Sequence, residues 1–215
     1  MLFPALFWSC KEKPVIVCFG DSLTEGRGAK PSEAWPALLS KRVKAKVINA
    51  GISGDTTMDA LERIDEVLAL NPDVVVVEFG ANDFLKAFNA GEDSPANVML
   101  FEIKNRLGEI LEKLDDGSRK LYLVKFFNTE MIDDFPTEPL GPSGDIHPGF
   151  IFDSLFDSLE AEYRVEIIDD IWSGVWGNPA LMSDDIHPNA AGYRIMAEHY
   201  FSALKPFLKS RDLLR

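Results

Sequence analysis

Ser22, Gly51, Asn82, Asp184 and His187 are the residues whose types and settings could do chemistry in this chain of 215 residues. Ser22 stands in VIVCFGDSLTEG, where an apolar run stops abruptly at Gly20-Asp21-Ser22. A hydroxyl at a helix start sits beside unpaired N–H groups and suits an anion or a nascent oxyanion. It suits helix capping or phosphate binding equally well. Gly51 closes VINAG, and a glycine there lets the backbone come close to a ligand, although glycines often end strands for other reasons. Asn82, in FGANDF, offers a neutral amide donor that can face developing negative charge, or it is an ordinary turn residue. Asp184 and His187, in SDDIHPN, lie within one turn of each other, so the carboxylate can reach the imidazole. A base histidine needs its far nitrogen held by an acceptor, which fixes the tautomer and steadies the imidazolium. Pro188 keeps the segment out of the helix that follows.

The chain has 3 histidines. His199 lies inside a helical pattern and reads as a surface or core residue. His147, in SGDIHPG, repeats the later Asp-Ile-His-Pro but has Gly144 where the later segment has Asp184. It reads as a loop residue at the rim of a site.

These residues need elements to position them. Val15–Phe19, Val47–Asn49, Val74–Phe79, Leu121–Phe127 and Val165–Ile168 read as strands, the third nearly all apolar, as in a parallel sheet covered on both faces. Between them, helical periodicity appears over Trp35–Val43, Asp55–Leu70, Leu100–Leu114, Phe150–Tyr163 and around Met196–Phe207. The alternation predicts a doubly wound, flavodoxin-like α/β/α domain over residues 14–215, with a five-stranded parallel sheet. Ligands bind beyond the carboxyl ends of such strands. The loops to search are therefore 20–26, 50–57, 80–85, 128–148 and 169–188, which hold all five candidates.

With 46% hydrophobic and 27% charged residues the composition is that of a globular protein, and a net charge of −13 argues against a nucleic-acid surface. No apolar run approaches the ~18 residues or more of a membrane-spanning helix. Two cysteines make no disulfide framework. Cys18 reads as a core residue. Residues 1–13 read as a leader: MLFPALFWSC resembles the end of a lipoprotein signal with Cys10 lipidated, without the usual basic start. The cell envelope and the cytoplasm both stay open.

FGDSL, NAGISGDTT, GAND and DDIHPN, in that order, resemble the four blocks of the SGNH, or GDSL-type, hydrolases, and span most of the chain. AWPALL and ISGDTT are similar to the bacterial esterase, thioesterase and lysophospholipase branch. The resemblance implies Ser22 as nucleophile, His187 as general base and then acid, and Asp184 as its orienting carboxylate. It implies an oxyanion hole from the N–H groups of Ser22 and Gly51 and the amide of Asn82. The substrate would be a small acyl ester or thioester, with no metal and no cofactor. The stretch 128–148 and the loop around Trp172 and Trp176 depart from the family pattern and are expected to shape the acyl pocket, with Phe127 on its wall. Phe126, Phe127, Phe135, Trp172 and Trp176 together lean towards an acyl or aryl group. Two other readings compete: a carbohydrate O-acetylesterase with the same triad, and a phosphate- or FMN-binding module, which would leave Asn82, Asp184 and His187 without a role. Glu78, inside the most apolar strand, needs a hydrogen-bond partner that the sequence does not reveal.

Overall fold

The run Val74–Glu78 forms the central strand, β3, and all of it is buried. Burying a valine fully is worth about 1.5–3 kcal/mol, so this strand alone does much to fix the sheet. The computed structural model describes residues 13–89, 96–127, 131 and 148–215. On one side of β3 lies β1 (Val15–Gly20), and outside it β2 (Lys46–Gly51). On the other lie β4 (Lys120–Val124) and then β5 (Val165–Ile168). Every pairing is parallel, with Gly20 beside Gly51 and Glu78 at the carboxyl edge. The order β2-β1-β3-β4-β5 reverses direction at β1, the switch point of a doubly wound fold, where ligand crevices open.

Eight helices can be placed among the described residues: α1 (Ser22–Glu25), α2 (Trp35–Ser40), α3 (Thr57–Glu62), α4 (Ile64–Ala69), α5 (Ala81–Asn89), α6 (Ala96–Leu114), α7 (Pro148–Glu162) and α8 (Ala190–Ser210). Helix α2 packs on α8, while α3, α4, α5 and α7 pack on α6. This gives the three-layer α/β/α architecture, with the core between sheet and helices.

The single helix expected over 55–70 is two. Arg63 leaves the helical region (φ −110°, ψ 11°) between α3 and α4. Its guanidinium donates to Asp55 Oδ2 at 2.6 Å and to the carbonyls of Ala50 and Gly20 at 3.0 Å. It thereby ties the ends of β1 and β2 together, a long-range demand that outweighs local helix periodicity. The stretch after β3, read as a loop, turns directly into α5, so Asn82 lies in a helical first turn. The leader with Cys10, and residues 132–147 with Phe135 and His147, lie outside the described residues, as does most of the 128–148 segment.

Candidate active site

The abrupt stop of β1 has a local cause. Asp21 leaves the strand and caps α1, its Oδ1 accepting the Leu23 N–H at 3.0 Å. Helix α1 is a single turn, ended by Gly26 in the left-handed conformation (φ 96°). Ser22 is its first residue and is 9% exposed.

His187 arrives from the other end of the chain on a pinned loop. Ser183 donates to the His187 carbonyl through its N–H (2.8 Å) and its hydroxyl (3.0 Å). Asn189 donates its side-chain amide to the carbonyls of Ala180 and Met182, and its Oδ1 caps α8. The imidazole is thus delivered with its Nε2 3.0 Å from Ser22 Oγ. Its Nδ1 lies 2.9 Å from both carboxyl oxygens of Asp184. With a carboxylate on Nδ1, that nitrogen carries the proton and Nε2 is free to accept one from Ser22. Burial pushes the Asp184 carboxyl up. The N–H groups of Ile186 and His187 and the imidazole itself outweigh burial and hold it below the usual carboxylate range.

Asn82 faces the same place. Its Nδ2 donates to Asp55 O at 2.9 Å and to Asp21 Oδ2 at 3.1 Å. Asp83 anchors this turn by accepting the N–H (2.9 Å) and the hydroxyl (2.6 Å) of Thr57.

Gly51 needs a correction. Its N–H donates to Asn49 Oδ1 at 2.9 Å, so it has a partner within its own strand. A Cβ there would fall 2.1 Å from Glu25 N and 2.8 Å from Asp21 O. This glycine lets β2 close against α1; the close approach is to backbone and not to a ligand. Gly54, in the same loop, has φ +90°, open space around it and no partner for its N–H among the described residues.

Phe127, Trp172 and Trp176 come together. With Ser22, Asn82, Met131 and His187 they line a cavity of about 30 Å³. Trp172 is fixed by donating Nε1–H to Phe126 O at 2.8 Å, and its ring meets that of Trp176 edge-on at 5.4 Å. Trp176 also borders an open groove of about 390 Å³ that runs past Met182 to Asp184 and Asp185. Leu85 and Ile186 line the inner cavity too; the sequence singled out neither, although both lie in loops it marked for search.

A doubly wound α/β fold with a serine, an imidazole and a carboxylate in line at the carboxyl edge of the sheet defines the class of serine-type hydrolases. The chain belongs to the GDSL-like lipase/acylhydrolase family, whose model matches residues 18–195. It is 28% identical over 202 residues to esterase TesA of Pseudomonas aeruginosa, covering 90% of this chain and 89% of that one. It is 27% identical over 197 residues to the thioesterase 1/protease 1/lysophospholipase L1 of Escherichia coli, covering 90% and 84%. Its fold superposes on the crystal structure of a psychrotrophic esterase from Pseudoalteromonas with a TM-score of 0.71 at 23% identity, over 92% of this chain and all of that one. The chain is therefore an ester-hydrolysing enzyme. That finding sets aside the phosphate- or FMN-binding alternative. Among the described residues no helix is long and apolar enough to cross a membrane.

Proposed function

We propose that Ser22 Oγ attacks the carbonyl carbon of a short or medium acyl ester or thioester while His187 Nε2 takes its proton. The observation that carries this reading is the unbroken line from Ser22 Oγ through the imidazole to the Asp184 carboxylate, at 3.0 and 2.9 Å. The oxyanion of the tetrahedral intermediate would be met by the N–H of Ser22 and the amide of Asn82. The further backbone donor from the β2 loop would be Gly54, because the Gly51 N–H is already held by Asn49. Asn82 has both amide hydrogens engaged at rest, and the longer bond, to Asp21, is the one to be released to the oxyanion. Collapse of the intermediate breaks the bond to the alkoxide or thiolate, which takes the proton from Nε2. Water then repeats the sequence on the acyl-enzyme, with His187 first as base and then as acid, and frees the carboxylic acid and Ser22.

The acyl chain would occupy the cavity walled by Phe127, Trp172 and Trp176. The cavity is small, about 30 Å³, so a short acyl group such as acetyl or propionyl is the one expected to fit as the pocket stands. Longer chains require a wall to move. The leaving group would depart along the open groove beyond Trp176. A carbohydrate acetyl ester shares this acyl size and differs in its leaving group. The test is a p-nitrophenyl ester series from acetate to palmitate beside the matching acyl-CoA series, with Ser22→Ala as blank. Best kcat/KM on the shortest esters supports the reading; a long-chain optimum would contradict the pocket assignment.

A further inference from the structure

The strand β3 ends in a carboxyl that the chemistry above does not use. Glu78 is 1% exposed, in a strand otherwise made of valines. Both its oxygens are engaged. Thr24 Oγ1 shares a hydrogen bond with Oε2, and Tyr200 OH donates to Oε1 at 2.9 Å. The partners come from different elements: Thr24 from α1, within the same turn as Ser22, and Tyr200 from α8, which begins directly after the His187 loop. Glu78 itself closes the strand that leads to Asn82. One buried carboxyl therefore joins the turn that carries Ser22 to the helix that follows His187, at the end of the strand that leads to Asn82.

The surroundings hold it in place. A Cβ on Gly20 would fall 2.3 Å from Thr24 Oγ1 and 2.9 Å from Glu78 O, so α1 lies directly on the strand ends. The Tyr200 ring stacks on Trp35 at 3.8 Å and 8°. A second tether runs in parallel, from Tyr193 OH of α8 to the Arg27 carbonyl just past α1, at 2.9 Å.

We infer that Glu78 is a positioning residue for ester hydrolysis: it clamps the turn bearing Ser22 to the helix behind His187 and so keeps Ser22 Oγ in reach of Nε2. The inference rests on Ser22 as nucleophile. The clamp works in its neutral form. No lysine or arginine pairs with Glu78 among the described residues, and burial, then the nearby buried Asp21, push its acidity well down. The bonds from Thr24 and Tyr200 oppose this without outweighing it. A neutral carboxyl has one O–H donor and a carbonyl acceptor, and a glutamine amide likewise presents a donor at one end and an acceptor at the other, with one N–H more. Leucine has neither and would leave two buried hydroxyls without their hydrogen-bond partner.

The test compares wild type, Glu78→Gln and Glu78→Leu. The readouts are kcat and KM on p-nitrophenyl acetate, the melting temperature, and the rate at which a fluorophosphonate labels Ser22. Misplacement of a reacting group by about 1 Å costs up to ~10²-fold, so Glu78→Leu is expected to lower kcat and labelling by about 10- to 100-fold. Its KM should stay near wild type. Glu78→Gln is expected to restore most of the loss, which a demand for charge would not allow. Wild-type labelling in Glu78→Leu, or a Glu78→Gln as slow as Glu78→Leu, would overturn the inference. If Glu78→Leu does not fold, Thr24→Val and Tyr200→Phe each remove one arm of the clamp. Slower labelling at unchanged KM in both supports it, and wild-type rates in the double variant overturn it. Equal rates with Ser22 labelled would sink the clamp alone; a wild type unlabelled at Ser22 would sink the nucleophile assignment and the clamp with it.

Discussion

Asp184 holds His187 twice: its Oδ1 accepts the His187 backbone N–H at 2.7 Å and stands 2.9 Å from Nδ1 of the same residue's ring. One side chain sets both where the imidazole sits and which of its nitrogens carries the proton.

Asp184→Asn keeps an oxygen for the backbone N–H groups but turns an amide donor towards Nδ1, which favours the wrong tautomer. It is expected to lower kcat by roughly 10² to 10⁴, up to the loss that the same change causes in a serine protease triad. Asp185→Asn, next along the chain, should stay near wild type. Measuring kcat/KM for both on p-nitrophenyl acetate checks this; equal losses would remove Asp184 from its assigned role.

Asn82→Ala is expected to lower kcat by about 10² to 10³ with KM nearly unchanged, because an oxyanion donor acts mainly on the transition state. A raised KM at full kcat would make Asn82 a substrate-binding residue instead.

The sequence made the layers legible because the buried strands are runs of Val, Ile and Leu and the helices keep their period. It also singled out Ser22, Asn82, Asp184 and His187, which the topology gathers at one edge: Ser22, His187 and Asp184 in one hydrogen-bonded line, and Asn82 on the wall of the cavity that Ser22 and His187 share. Gly51 misled because a glycine announces a close approach without saying to what; here it is the turn at Glu25. The break at Arg63 stayed hidden because its cause, the carbonyls of Gly20 and Ala50, is brought near only by the sheet. The partners of Glu78 were hidden for the same reason: Thr24 and Tyr200 stand at opposite ends of the chain.

Trp176 separates the small cavity from the open groove. Trp176→Ala should join the two and raise kcat/KM for butyrate to octanoate esters relative to acetate. The chain-length profile of the variant checks this; an unchanged profile would place the acyl group elsewhere.

Stability should carry the mark of Glu78. Its carboxyl is raised from 4.5, first by burial and then by Asp21. The groups facing it are Cys18 on β1, Asp21 and Thr24 at α1, and Tyr193 and Tyr200 on α8. Above the ordinary carboxylate pKa the unfolded chain has lost this proton while the folded one keeps it. Folded-state stability therefore falls as pH rises through that window. Glu78→Gln removes this titration, so its melting temperature relative to wild type should climb from pH 5 to pH 8. A difference that stays flat with pH would mean that Glu78 is ionised in the fold.

The most direct test of the site is where a fluorophosphonate bonds and whether that bond depends on His187. Intact-mass and peptide mapping of the wild type should find one adduct, on Ser22. His187→Ala should slow the labelling by orders of magnitude, and His147→Ala should leave it near wild type. Ser22→Ala should take up no label and lose on the order of 10⁶ in kcat, as removal of a triad nucleophile does. An adduct on another residue, or labelling of Ser22 that is indifferent to His187, would contradict the assignment of this site.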